Sequence, residues 1–199
     1  PRAAPGRTAL PAGSHHRRHP VPRAQAHRPS PRRRLRAVTD DAPRIRPASA
    51  ADADTFLALV DALADYEKLD RPTPAARERL LRDAFGPEPR IRVHLAELDG
   101  RAVAYTITLD TYSSFLALPT LYLEDLFVLP EARRAGVGSA FFRFHTGEAA
   151  RKGYGRMEWV VLDWNQLAID FYEKLGASRL ADWYTYRLTA EQLREIAGA

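Results

Sequence analysis

At 199 residues, 45% hydrophobic and 28% charged, the chain has the balance of one globular domain and is short for two. Its apolar runs fall far short of the ~20 residues a membrane helix needs, and no apolar segment near the start reads as a secretory signal. With no Cys there is no disulfide framework, thiolate nucleophile or cysteine zinc site, and a cytoplasmic location is expected.

The formal charge of +5 is unevenly placed. Residues 1–43 hold ten Arg and no Lys against Asp40 and Asp41, with eight of the fifteen Pro and four of the six His. Nothing in that segment repeats at period 2 or 3.6, so it reads as disordered. It is either a basic arm for nucleic acid or a membrane surface, or upstream sequence without a role; the use of Arg without Lys favours the second, and a nucleic-acid partner is not expected. Residues 44–199 form the folded domain and carry 20 basic and 23 acidic side chains, a mildly acidic body that favours cationic partners.

The body opens with a short strand, 44–47. Ser49 and Asp52 form a capping-box pattern ahead of a helix whose apolar stripe is Ala53, Phe56, Val60 and Leu63, running to about Lys68. Thr73-Pro74 starts a second helix that Gly86 and Pro87 stop. Strands at 91–98 and 102–109 flank Asp99-Gly100, a strong hairpin signal. A loop over 111–120 precedes a third apolar run, 121–128. After the glycine-rich stretch 130–138 come a helix (139–152), a strand (156–162), a helix (166–175), a last strand (183–188) and a short terminal helix opened by Thr189. Hairpins in the first half and β-α-β crossovers in the second imply an α/β fold, a mixed sheet with helices on both faces.

The run 121–128 leads into Arg133-Arg134-Ala135-Gly136-Val137-Gly138-Ser139 and then a helix. Strand, glycine loop and helix together build a pyrophosphate site, because converging backbone N–H groups and the helix N-terminus favour an anion. The loop lacks the Lys of a Walker motif, and Phe141 stands where a dinucleotide fingerprint needs its third glycine.

Three further residues are odd for a folded core. Glu124 and Asp125 sit side by side within an otherwise apolar strand, so they should point to opposite faces, with at least one enclosed and therefore paired or functional. Glu67 continues the apolar stripe of the first helix. His94 and His145 read as isolated, and no metal centre is expected.

The loop Arg133 to Gly138 resembles the acetyl-CoA signature of the GNAT N-acetyltransferases. Asp163-Trp164-Asn165 followed by Asp170-Phe171-Tyr172-Glu173 is similar to the family's second cofactor motif. Ala64-Asp65-Tyr66-Glu67-Lys68, Tyr122-Leu123-Glu124-Asp125-Leu126 and Asp163-Trp164-Asn165 resemble the diamine (spermidine/spermine) and thialysine branch. The resemblance spans about residues 44–190 and implies the GNAT fold, acetyl-CoA as acetyl donor, a small amine as substrate and a homodimer with the C-terminal strand and helix near its interface.

Carried over by residue, it implies that Arg133, Arg134, Ala135, Gly136, Val137, Gly138 and Ser139 hold the pyrophosphate, and that Leu126, Phe127 and Val128 offer backbone to the acetyl-pantetheine. Asn165 contacts the pantetheine arm and caps its own helix. Tyr66, Glu67, Glu124 and Asp125 line the amine site, with Glu158, Trp159 and Val160 as its wall. Tyr172 protonates the leaving thiolate, a transfer suited to a phenol of pKa ~10. An amine of pKa ~10.4 is about one part in 2,500 neutral at pH 7, so a base is needed. Glu124, acting through water with a pKa raised by burial, is the expected base. Arg134, Ala135, Gln166 and Leu175 depart from the branch pattern, which bears on cofactor affinity. The alternatives are a GNAT enzyme for an amino acid, antibiotic or protein amine, and a non-catalytic protein that binds nucleic acid through its basic tail.

Overall fold

The structure, a computed structural model, describes residues 42–198, so the disorder expected upstream lies outside the described residues. Five strands form one sheet in chain order: β1 (Arg44–Pro47), β2 (Arg92–Leu98), β3 (Arg101–Ser113), β4 (Leu118–Val128) and β5 (Arg156–Glu158). All neighbours are antiparallel except β4 and β5, which the intervening helix makes parallel. Asp99 (φ 51°) and Gly100 (φ 73°) are both left-handed, the backbone of a tight turn that continues the twist from β2 to β3.

Helix α1 (Ala53–Glu67) is led in by the Ser49/Asp52 capping box and ends at Lys68, which is left-handed at φ 58°. Helix α2 (Pro74–Phe85) starts where Thr73 Oγ1 accepts from the Ala76 N–H at 3.3 Å and ends at Gly86. Both cover one face of the sheet. Phe56 and Leu59 pack there with Val93, Leu95, Tyr105, Ile107 and Phe127, and the fully buried Phe56 meets Phe85 and Tyr105 edge-on. Helix α3 (Val137–Arg151) takes the opposite face, burying Val137 and Phe141 against Ala96 and Ala104. Helices thus lie on both faces, as the sequence implies, and no described helix is long and apolar enough to cross a membrane.

His94 and His145 are not isolated, a correction to the sequence reading. Their rings meet edge-on at 5.1 Å between β2 and α3, and His145 Nε2 lies 2.9 Å from Thr106 Oγ1. Burial pushes the His145 pKa down to about 4, so this pair is neutral and structural at pH 7.

Three other expectations are corrected. The predicted loop 111–120 is mostly strand, because β3 runs to Ser113 and pairs with Leu118 across a short tip. The strand predicted at 156–162 stops at Glu158. The strand predicted at 183–188 is absent, with Trp183, Tyr184 and Tyr186 at 77, 82 and 91% exposure. A strand persists only where a neighbour completes its hydrogen bonds, and the three-residue β5 gives this segment no ladder. Helices α4 (Gln166–Lys174) and α5 (Ala190–Ala197) form as expected.

Candidate active site

The feature that shapes the site is a break in the β3–β4 ladder. Ile107 pairs with Asp125 and Thr108 with Leu123, so Glu124 is the extra residue of a β-bulge. Glu124 is exposed, and Asp125 turns to the α1 face of the sheet, on the side of its cross-strand neighbours Ile107 and Tyr105. The Tyr105 hydroxyl donates to Asp125 Oδ2 at 3.0 Å. Burial, reinforced by the charges of Glu124 and Glu67, pushes the Asp125 pKa up from 3.8 to about 6 despite that hydrogen bond. The expectation of a buried Glu124 is therefore corrected: the enclosed carboxylate of the pair is Asp125.

Glu67, at the last turn of α1, is half-buried, and desolvation raises its pKa. It also contributes to the rise at Asp125 and at Tyr105, which puts it in the same acidic group. Burial raises the Tyr122 pKa, and the charges of Glu124 and Glu158 add to the rise, so Glu158 borders this group too, while forming an ion pair with Arg156 at 3.1 Å.

Tyr66, one residue before Glu67, joins three segments. Its hydroxyl donates to Asn165 Oδ1 at 3.3 Å, and its ring packs against Trp164 and Phe127. The Arg133 guanidinium lies over that ring, 4.5 Å from its centroid. Asn165 Oδ1 also accepts from the Ala168 N–H, capping α4 as the sequence implies.

The glycine loop follows. Arg134 (φ 69°) and Gly136 (φ 81°) are left-handed with Ala135 between them, and Gly136 is the N-cap of α3. A backbone of this kind turns N–H groups to one side, beside the unpaired N–H groups of the helix's first turn. Gly138 has another role: a Cβ there would come 3.3 Å from Phe171 Cζ, so its lack of a side chain lets α3 and α4 approach. Beside the loop, β5 pairs with β4 only from Thr120 to Tyr122. Among the described residues, the outer edge of β4 past Tyr122, including Leu126, Phe127 and Val128, has no strand beside it. Arg133 Nε donates to the Val128 carbonyl at 3.1 Å.

Tyr172 lies two turns along α4, among Phe142, Trp159 and Phe171 at ring separations of 5.1–5.6 Å. Burial pushes its pKa up to about 12. The phenol keeps its proton at any physiological pH but is a weaker acid than a free tyrosine. Trp159 belongs to this aromatic group and Val160 is 65% exposed. Of the expected wall of the amine site, Glu158 thus stands near Tyr122, Trp159 packs on Tyr172, and Val160 is open to solvent. A groove of about 470 Å³ runs past Ser139, Phe142, Met157, Trp159 and Gly176.

Residues 56–177 match the model of the acetyltransferase (GNAT) family, more than half of the chain. The chain is a GNAT acetyltransferase. It is 34% identical over 165 residues to the thialysine N-epsilon-acetyltransferase of Bos taurus, covering 77% of this chain and 96% of that protein. It is 28% identical over 173 residues to the human spermidine/spermine N(1)-acetyltransferase-like protein 1, covering 82% of this chain and 25% of that one. An integron cassette protein from the mobile metagenome of V. cholerae shares the fold, with a TM-score of 0.68 at 19% identity over 79% of this chain and 99% of that one. The GNAT enzyme is thus an N-acetyltransferase acting on an amine, in the thialysine and diamine branch.

In this GNAT fold, Tyr66 and Glu67 stand on the last turn of α1, Glu124 and Asp125 at the β4 bulge, and the charge of Glu67 reaches Asp125. The sequence reading missed Tyr105, which holds Asp125, and Tyr122, which neighbours Glu124 and Glu158. Tyr105 alternates within a strand like any core aromatic. Only the register across the bulge sets it beside a carboxylate.

Proposed function

We propose that this GNAT enzyme transfers an acetyl group from acetyl-CoA to a primary amine of a small cationic substrate, a diamine, polyamine or thialysine-like amine, directly within a ternary complex. The observation that carries the reading is the acidic group itself: the β4 bulge places Glu124 beside an enclosed Asp125 held by the Tyr105 hydroxyl, and Glu67 ends the helix that packs on that face. Carboxylates grouped this way on an acidic body favour a ligand with more than one ammonium. The thialysine relatives support the same substrate class.

The residues fit acetyl-CoA. The left-handed loop at Arg134 and Gly136, the α3 N-terminus, Arg133 and Ser139 suit a pyrophosphate, and the unpaired β4 edge offers N–H and C=O groups to an amide-bearing arm. Bound there, acetyl-CoA supplies the acetyl group as a thioester. Asp125 takes the proton from the substrate ammonium, since a carboxylate of pKa about 6 is ionised at pH 7 yet far better matched to the task than an exposed one. Glu124, open to solvent, passes that proton on to water. Glu67 holds the second ammonium. As the amine nitrogen forms its bond to the acetyl carbon, a backbone N–H on the β4 edge near Leu126 to Val128 would stabilise the oxyanion; as the C–S bond breaks, the Tyr172 Oη proton goes to the sulfur and Tyr172 regains a proton from the acylated nitrogen.

Thiol release with acetyl-CoA checks this reading. A diamine should exceed a monoamine of equal length by tenfold or more in kcat/KM. Glu67→Gln should shrink that ratio severalfold while leaving monoamine turnover nearly unchanged. A ratio untouched by Glu67→Gln removes Glu67 from second-charge recognition.

We further propose a homodimer. Its support is the exposed aromatic segment at Trp183, Tyr184 and Tyr186, a strand pattern that finds no neighbour among the described residues. Analytical ultracentrifugation should return twice the 22.4 kDa chain mass, and a monomer at micromolar concentration contradicts it.

A further inference from the structure

We infer that Tyr66 is a positioning residue for the cofactor loop as well as a wall of the amine site, so that the two sites are energetically coupled through one side chain. The inference rests on the acetyl-CoA reading above and extends it.

Leu63 and Ala64 are the last apolar residues of the buried stripe of α1, and Lys68 terminates the helix in the left-handed conformation. Tyr66 and Glu67 therefore project from the final turn of a helix that Phe56 and Leu59 lock to the sheet. From this fixed point Tyr66 reaches both segments that carry cofactor-type motifs. Its ring seats the Arg133 guanidinium at the start of the glycine loop, and its hydroxyl holds Asn165, the residue that starts α4. Arg133 is held at a second point by the Val128 carbonyl, so the guanidinium has a defined seat between β4 and α1. That seat matters because the loop is strained: Arg134, a non-glycine residue, is left-handed at φ 69° right after it. A conformation of this kind persists only where its flanks are held, and Tyr66 holds one flank. The next residue, Glu67, belongs to the acidic group. Anything that shifts the loop is felt at the amine side, and by linkage the reverse holds equally.

The test is a double-mutant cycle with CoA as the calorimetric probe, since CoA cannot donate acetyl during titration. Tyr66→Leu keeps apolar bulk and deletes the seat. It should weaken CoA binding about 3- to 10-fold, the range of a partly buried cation–π contact, and raise KM for acetyl-CoA with little change in kcat. In an Arg133→Gln background the same substitution should cost only the two- to threefold of the lost Asn165 contact, because its cation–π partner is already gone. Tyr66→Phe deletes only the hydroxyl and carries the test if the leucine variant does not fold. It should cost about two- to threefold in CoA affinity, and nothing in an Asn165→Ser background, where serine still caps α4. Wild-type protein that binds CoA while the Tyr66 variants bind it equally well overturns the coupling and leaves the acetyl-CoA reading standing. Additive effects in both cycles likewise overturn it. Wild-type protein that binds no CoA overturns both.

Discussion

Replacing Tyr172 by Phe should lower kcat by about 10²–10⁴, the usual contribution of a positioned general acid. The substitution keeps the ring, so the packing against Phe142, Trp159 and Phe171 is retained and the melting temperature should hold. Acetyl-CoA affinity should hold as well. The pKa of about 12 sharpens the expectation. A phenol so weakly acidic stays protonated across the whole working range, so the wild-type rate should show no fall near pH 10 from loss of this proton. Steady-state kinetics from pH 6 to 10 on both proteins is the check. A variant that retains half the wild-type kcat means that water or another group supplies the proton.

Asp125→Asn should act on rate and stability in opposite directions. In its proposed role as proton acceptor Asp125 has to be ionised, so wild-type kcat/KM should fall with unit slope as pH drops through about 6. The Asn variant should lose roughly 10²-fold in kcat/KM at pH 7.5, and that acid limb should disappear. The sign for stability follows from the same shift. A carboxyl whose pKa is higher folded (about 6) than its ordinary 3.8 favours folding when protonated, so it opposes folding once ionised. Wild-type stability from this group is lost as pH rises from about 4 through 6. Asparagine carries no charge and its Oδ1 still accepts from the Tyr105 hydroxyl, so the variant should melt several degrees higher at pH 7.5, an advantage that fades toward pH 4. An unchanged acid limb in the variant shifts the base assignment to Glu124.

Much of this architecture is written in local residue chemistry. Asp99-Gly100 adopts the two left-handed positions that its turn requires, Ser49 and Asp52 cap the entry to α1, and Thr73-Pro74 opens α2, because each signal acts within four residues. Glu67 and Asp125 were legible as polar groups where an apolar face was due, and Tyr66 only through the family resemblance. The roles within the carboxylate pair were not. Period-2 alternation sends Glu124 and Asp125 to opposite faces, but which one is enclosed depends on the bulge, and a bulge is a property of two strands in register. The same holds for His94 and His145, 51 residues apart in sequence and in contact through β2 and α3. The segment 183–188 has the pattern of a strand without the partner that makes one, so alternation alone overstated it.

The central claim is that the acidic group selects an amine with a second positive charge. One competition reaction tests it most directly: wild-type enzyme, acetyl-CoA, and equal concentrations of a diamine and a monoamine of matched length, with products quantified by mass spectrometry at low conversion. The product ratio equals the ratio of kcat/KM values. The acidic group predicts at least ten molecules of acetylated diamine for each of acetylated monoamine, a difference of about 1.4 kcal/mol in transition-state binding. Equal amounts of the two products would contradict it.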